Sequence, residues 1–111
     1  MAKTGTRKVS KKAKPVRHNP TEAEVRTQVK EYLQWQGWFV YYNLAGLGSY
    51  PGLSDLVAVK DGRVVHIELK RPTGKQSERQ EKFQRDLEAA GGEYLVARGV
   101  ADVEHLGKWR G

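Results

Sequence analysis

The chain has 111 residues, 38% hydrophobic and 30% charged, enough for one compact domain with a modest core and too few for two. It contains no cysteine, which excludes disulfides and thiolate metal sites and suits a reducing cytoplasm. No apolar run approaches the roughly 20 residues that cross a bilayer, so no membrane partner is expected, and no apolar stretch follows the basic N-terminus as a secretory signal would require. The formal charge of +7 sits in residues 1–20, where Lys3, Arg7, Lys8, Lys11, Lys12, Lys14 and Arg17 stand without an acid. The remaining 13 of the 20 basic residues are balanced by 13 acidic ones. Such a tail has too little apolar surface to offset its ordering entropy and is expected to be disordered alone. It would attract a polyanion through counterion release, although a merely solubilising extension has the same composition.

From Thr21 to Gln36 the pattern predicts a helix, capped by Asn19 or Thr21, with Pro20 suited to its first turn and Gly37 ending it. Val25, Val29, Tyr32, Leu33 and Gln36 fall on one side, and Glu22 falls there with them. Glu24 points about 200° away and should be solvated. A carboxylate on a buried face wants a partner, which singles out Glu22. Trp38 to Asn43 is aromatic and β-branched and reads as a strand. Leu44 to Ser54 holds Gly46, Gly48, Pro51 and Gly52 and must be a loop. It lacks the Gly-Lys-Ser/Thr ending of a phosphate-cradling loop and the spacing of a dinucleotide fingerprint.

Asp55 to Lys60 and Arg63 to Lys70 are two β-rich runs separated by Asp61-Gly62, a strong signal for a hairpin with a type I′ turn. Past Pro72 and Gly74, Ser77 opens a second helix to about Ala90, with Phe83, Leu87 and Ala90 inward and Gly91-Gly92 as its stop. Tyr94 to Ala97 reads as a further strand, and Val100 to Trp109 as a short helix or an irregular end. The order α-β-β-β-α-β predicts an α/β fold, a mixed sheet of about four strands flanked by helices, in a single folded unit over residues 21–111.

A two-residue turn at 61 and 62 fixes the hairpin register, so that Lys60 opposes Arg63, Val59 opposes Val64 and Asp55 opposes Glu68. The two carboxylates then leave one face with Cβ atoms about 4.5–5.5 Å apart, and Lys70, two residues past Glu68, shares that face. Like charges directly opposed destabilise a sheet unless something neutralises them. Lys70 supplies one positive charge; a divalent cation would supply two, and this hard oxygen set suits Mg²⁺ or Mn²⁺. Such an ion would polarise a phosphoryl oxygen and acidify a bound water, with Lys70 orienting that water or offsetting transition-state charge, which is phosphodiester hydrolysis. The plain alternative for any Glu-x-Lys is a solvated salt-bridge cluster. Against it, Val57, Val59, Val65, Ile67 and Leu69 make these strands look buried, and charges at the end of a buried hairpin need a reason.

His66 shares the face of Glu68 and Lys70 but sits opposite Val57, and reads as a core histidine rather than a catalytic one. Tyr50, Lys75, Arg79 and Arg85 could meet a nucleic-acid backbone, although each alone is an ordinary surface residue. Trp35, Trp38, Tyr41 and Tyr42 sit at helix and strand spacing, which favours core or subunit contact over base stacking.

Taken together, Pro51-Gly52-Leu53-Ser54-Asp55-Leu56, Asp61-Gly62, Ile67-Glu68-Leu69-Lys70-Arg71-Pro72 and Ser77-x-x-Gln80 resemble the VRR-NUC branch of the PD-(D/E)XK nucleases over about residues 21–98. The resemblance implies a restriction-endonuclease-like core and Mg²⁺- or Mn²⁺-dependent endonuclease activity on DNA. It implies a site made by an acid on the first helix together with Asp55, Glu68 and Lys70, with the backbone carbonyl of Leu69 also on the metal. The helical wheel favours Glu22 over Glu24 as the helix acid, reaching the metal directly or through water; a first-turn acid set against the helix dipole is the other account of it. Gln80 matches a family glutamine near the site, yet Ser77-x-x-Gln80 is also a capping box, and both roles stay open. Stand-alone members of bacterial or phage type, similar to Holliday junction resolvases, imply a cytoplasmic, nucleoid-associated homodimer acting on branched DNA such as four-way junctions. Flapped, nicked or linear duplex is an alternative substrate. A non-catalytic nucleic-acid-binding module is the alternative class, but two carboxylates aimed where a phosphate should lie would repel it.

Overall fold

A computed structural model describes residues 20–44 and 46–108, with side chains through residue 106. The basic tail expected over residues 1–20 lies outside the described residues apart from Pro20, as does Asn19, one of the two expected caps. The elements are α1 (Glu22–Trp35), β1 (Phe39–Tyr42), β2 (Leu56–Lys60), β3 (Arg63–Leu69), α2 (Glu78–Ala89), β4 (Glu93–Ala97), a 3₁₀ turn (Val100–Asp102) and α3 (Glu104–Lys108). Their order is the one that the hydrophobic periodicity predicts, with boundaries moved by one or two residues. The strands form one mixed sheet in the order β1-β2-β3-β4, antiparallel except for the parallel pair of β3 and β4. Parallel neighbours cannot be joined by a tight turn, and α2 supplies the crossover between them.

The hairpin turn has the conformation its sequence demands, with φ of 52° at Asp61 and 81° at Gly62. The register follows: Lys60 pairs with Arg63, Val59 with Val64, Ala58 with Val65, Val57 with His66 and Leu56 with Ile67. The two faces of the sheet then separate by period two. One face carries Leu56, Ala58, Val65, Ile67, Leu69 and Ala97 into a buried cluster with Val25, Val29 and Leu33 of α1, closed by Trp38, Val103 and Leu106. Removing an aliphatic side chain from this layer costs about 2–5 kcal/mol. The other face carries Val57, His66, Glu68 and Tyr94, and α2 covers it through Phe83, whose ring lies 5.8 Å from His66 and 6.0 Å from Tyr94. The sheet is thus sandwiched between helices, as its class predicts.

The four aromatic residues expected in core or subunit contact divide, and two other expectations about burial change. Trp38 is buried and Tyr42 packs against the core, but Trp35 is 85% exposed and Tyr41 46% exposed. Trp35 stands about 200° round the helix from Leu33 and so cannot share its stripe. Tyr41 lies on the edge strand, on the sheet face that α2 covers only in part. Val59 is half-buried, because its row on that same face continues into exposed Phe39 and Val64. Ala90 is exposed and caps the C-terminus of α2, so the inner stripe of that helix ends at half-buried Leu87.

Candidate active site

Glu68 is the next-to-last residue of β3, and period-two alternation turns its side chain toward α2. It is 1% exposed, the one acidic residue among the fully buried side chains described. Its two oxygens have different surroundings. Oε2 accepts a hydrogen bond from Gln80 Nε2 at 2.5 Å and lies 3.6 Å from Lys70 Nζ, whereas Oε1 is buried and has no hydrogen-bond partner among the described residues. Burial pushes the Glu68 carboxyl up to about 8, and the negative charge of Asp55 pushes in the same direction. Lys70 opposes both, but one cation at 3.6 Å does not outweigh them.

Asp55 lies one residue outside the β2–β3 ladder, whose last pair is Leu56 with Ile67. The expected cross-strand pairing of Asp55 with Glu68 is therefore replaced by a side-chain contact: Asp55 Oδ2 accepts the Leu69 N–H at 2.7 Å. A carboxylate stands where the next backbone acceptor of the ladder would have been. In an extended strand the N–H and C=O of one residue point to the same side, so the Leu69 carbonyl is turned toward β2 and Asp55 as well. Lys70 continues past the strand end, its N–H donating to the Ala97 carbonyl at 3.0 Å, which holds its side chain beside Glu68.

Gln80 closes the start of α2 and also touches Glu68. Its carbonyl oxygen accepts the Ser77 N–H at 2.8 Å while Ser77 Oγ accepts the Gln80 N–H at 3.2 Å, completing a capping box at the start of α2. Its amide nitrogen is left free to donate to Glu68. Gly52 brings the preceding loop against this helix start: its φ is +79°, and a Cβ there would fall 2.2 Å from the Arg79 carbonyl oxygen. Between loop and helix lies an open cavity of about 390 Å³, lined by Asn43, the segment Ser49 to Asp55, Ser77, Arg79 and Gln80.

The two helix acids separate. Glu24 belongs to the cap of α1, where Thr21 N–H donates to its Oε1 at 2.8 Å and Thr21 Oγ1 accepts the Glu24 N–H. Glu22 is half-buried, as the wheel predicts, but its side chain makes no hydrogen bond or ion pair among the described residues. It is not gathered with Asp55 and Glu68: among the described residues no three His, Asp or Glu side chains come together at one point. The side chains assembled here are Asp55, Glu68, Lys70 and Gln80.

His66 has the surroundings of a core histidine. Its Nδ1 lies 3.2 Å from Ser54 Oγ, its ring packs on Phe83, and burial lowers its pKa. Tyr50 donates to Asp86 Oδ2 at 3.3 Å, with its ring 5.5 Å from Phe83, while Lys75, Arg79 and Arg85 are exposed. Tyr94, raised to about 12 by burial and secondarily by the charge of Glu68, is held by Gln76 Nε2 at 3.0 Å.

The polar pair Asn43 and Ser54 escapes the sequence reading. Asn43 Nδ2 donates to the Ser54 carbonyl at 3.0 Å, and Ser54 is 1% exposed. Their pairing depends on the β1–β2 register, which a long glycine loop leaves unspecified in the sequence. No helix among the described residues is long and apolar enough to cross a membrane. No protein-family model matches the chain, and neither a curated protein nor a solved structure does.

Proposed function

We propose that this chain is a metal-dependent DNA endonuclease of the PD-(D/E)XK class, similar to VRR-NUC domains, that hydrolyses phosphodiester bonds in branched DNA such as four-way junctions as a nucleoid-associated homodimer. One observation carries the reading: Glu68 is buried against a second carboxylate, with one oxygen that no described residue satisfies. A buried acceptor without a partner, next to a like charge, is destabilising on its own, and a bound cation would relieve both costs at once.

The donor set fits Mg²⁺ or Mn²⁺, which take oxygen ligands and keep several waters, so that two carboxylates and a carbonyl suffice. Glu68 Oε1, the Asp55 oxygen not bonded to Leu69 and the Leu69 carbonyl would hold the ion, with Glu22 reaching it only through water. When bound, the ion supplies Lewis acidity toward a phosphoryl oxygen and an acidified water. The protein's own groups do the rest. Lys70 offers its ammonium group to the phosphate, where negative charge grows in the transition state, and can orient the attacking water. Gln80 holds Glu68 in one rotamer through Oε2 and so keeps Oε1 directed at the ligand position. Arg79 at the cavity, with Lys75 and Arg85 nearby in sequence, provides sequence-independent contacts to the DNA backbone, and the seven basic residues of positions 1–20 add salt-sensitive affinity.

A second reading is favoured by the same carboxyl. At about 8, Glu68 retains its proton at neutral pH in the absence of metal and can donate it to Asp55, which would make the pair structural in a non-catalytic nucleic-acid-binding module. Calorimetric titration of Mg²⁺ or Mn²⁺ into wild type and Glu68→Gln decides between them, with cleavage of a labelled four-way junction and of its linear duplex followed in parallel. Metal-dependent cutting that disappears in the variant while DNA binding survives is the expected result. Absence of both metal binding and cutting would leave the binding module, and preferred cutting of the linear control would keep the nuclease and remove the junction.

A further inference from the structure

We propose that Asn43 is a positioning residue that aims Asp55, an inference that rests on the reading of Asp55 as a metal ligand. Asp55 lies one residue beyond the last ladder pair on both sides, Tyr42 with Leu56 and Leu56 with Ile67, so its position depends on contacts past the strand ends. Asn43 grips the two peptide groups that flank its Cα. The Asn43 N–H donates to the Asp55 carbonyl at 2.9 Å, which holds the peptide following Asp55. The Asn43 side chain donates from Nδ2 to the Ser54 carbonyl at 3.0 Å, which holds the peptide preceding it.

With both peptide planes fixed, the Cα–Cβ direction of Asp55 is fixed too, and its carboxylate falls on the Leu69 N–H at 2.7 Å. Ser54 secures the same corner from below. It is 1% exposed, with Oγ 3.2 Å from His66 Nδ1 and 3.4 Å from Asn43 Nδ2. Asn43 lines the same cavity as Asp55 but aims its side-chain donor at the backbone rather than at the cavity, so its action on the site passes through Asp55. An asparagine meets this geometry: the strand-end backbone supplies one bond, and a short amide reaching one carbonyl on the next strand supplies the other. Aspartate has nearly the same shape and no donor.

The test uses the full chain with Asn43→Ala, Asn43→Asp and Ser54→Ala, and reads amide hydrogen exchange at Leu69 against Val65 and Ile67, together with the Kd for Mn²⁺. Asn43→Ala and Asn43→Asp should both speed exchange at Leu69 while Val65 and Ile67 stay protected, and should weaken Mn²⁺ by roughly tenfold, the usual effect of losing a group that orients a ligand. Ser54→Ala keeps the carbonyl that Asn43 grips and should have the smaller effect. Wild-type exchange at Leu69 in Asn43→Ala, or in Asn43→Asp, would overturn the proposal. So would equal acceleration at all three amides, which marks a general loss of stability, or a Ser54→Ala effect as large as that of Asn43→Ala. If wild type binds no Mn²⁺, the nuclease reading fails by itself, and exchange at Leu69 alone decides whether Asn43 fixes Asp55.

Discussion

The two ends of the β2–β3 hairpin use charge in opposite ways. At the turn end Arg63 and Lys60 meet partners of unlike character. Arg63 forms a bidentate bridge to Glu93 at 2.8 and 2.9 Å, and Lys60 Nζ donates to the Gln36 carbonyl at the end of α1 at 2.7 Å. Glu93 is consequently lowered, chiefly by its hydrogen bond to Arg63. At the open end Glu68 is pushed up to about 8 by burial and by Asp55, and one of its oxygens is unsatisfied among the described residues. Two glutamates on adjacent strands of one sheet thus move in opposite directions. A folded chain that pairs its charges at one end and opposes them at the other has given up stability at the second, which is where function is to be sought.

The largest effect follows from removing the buried charge. Glu68→Gln should reduce metal-dependent cleavage by roughly 10²- to 10³-fold, and it should raise the melting temperature of the metal-free protein at pH 8 and above, where the wild-type carboxylate ionises. Activity falling while stability rises is the signature of a group kept for chemistry; a variant that loses both would make Glu68 a structural residue. Gln80→Glu comes next. A glutamate preserves the capping box with Ser77, so α2 should keep its helicity by circular dichroism, but it replaces the donor to Glu68 by a third acidic group. Cleavage should fall by roughly 10- to 100-fold. Unchanged cleavage would reduce Gln80 to a helix cap.

The open end was the more legible in sequence, and the reason is local. Asp61-Gly62 permits one turn type, the turn sets the register, and the register brings residues 55 and 68 to the same end of the hairpin, although the ladder stops one pair short of them. Gln80 was legible as two competing roles, because a capping box and a site glutamine share one spacing. The structure shows the cap, with the amide oxygen on Ser77, and leaves the nitrogen on Glu68, a contact that a site role would need and does not by itself establish. Asn43 was illegible. Its partner lies across a glycine-rich loop, and no local rule sets the register of β1 on β2. The choice between core and subunit contact for Trp35 and Tyr41 was illegible for a related reason, since aromatic composition marks a helix or strand without saying which of its faces the rest of the chain will cover. The first-helix acid stands between these cases: the wheel places Glu22 on the half-buried side, while the distance from α1 to the carboxylate pair is a tertiary quantity that periodicity does not contain.

Stability against pH gives the finer division between the two ends. Glu68 has a folded value near 8 against an ordinary 4.5, so the folded state binds its proton more tightly than the unfolded chain does. Its contribution is therefore intact at low pH and is lost as pH rises from about 4.5 to about 8, on the order of a few kcal/mol in total. Glu93 has the reverse sign: its contribution is present above the unfolded value and is lost as pH falls through the lowered folded one. Glu93 is partly exposed, so its bridge should be worth less than about 1 kcal/mol. Melting curves of the metal-free protein should then decline from pH 5 to 8.5. Saturating Mg²⁺ or Mn²⁺ should flatten the decline by favouring the ionised carboxylate, and EDTA should restore it. Glu93→Gln should leave the slope over that range unchanged and lower the melting temperature slightly and uniformly. A slope that survives in Glu68→Gln would assign the titration to another group and remove the contrast between the ends.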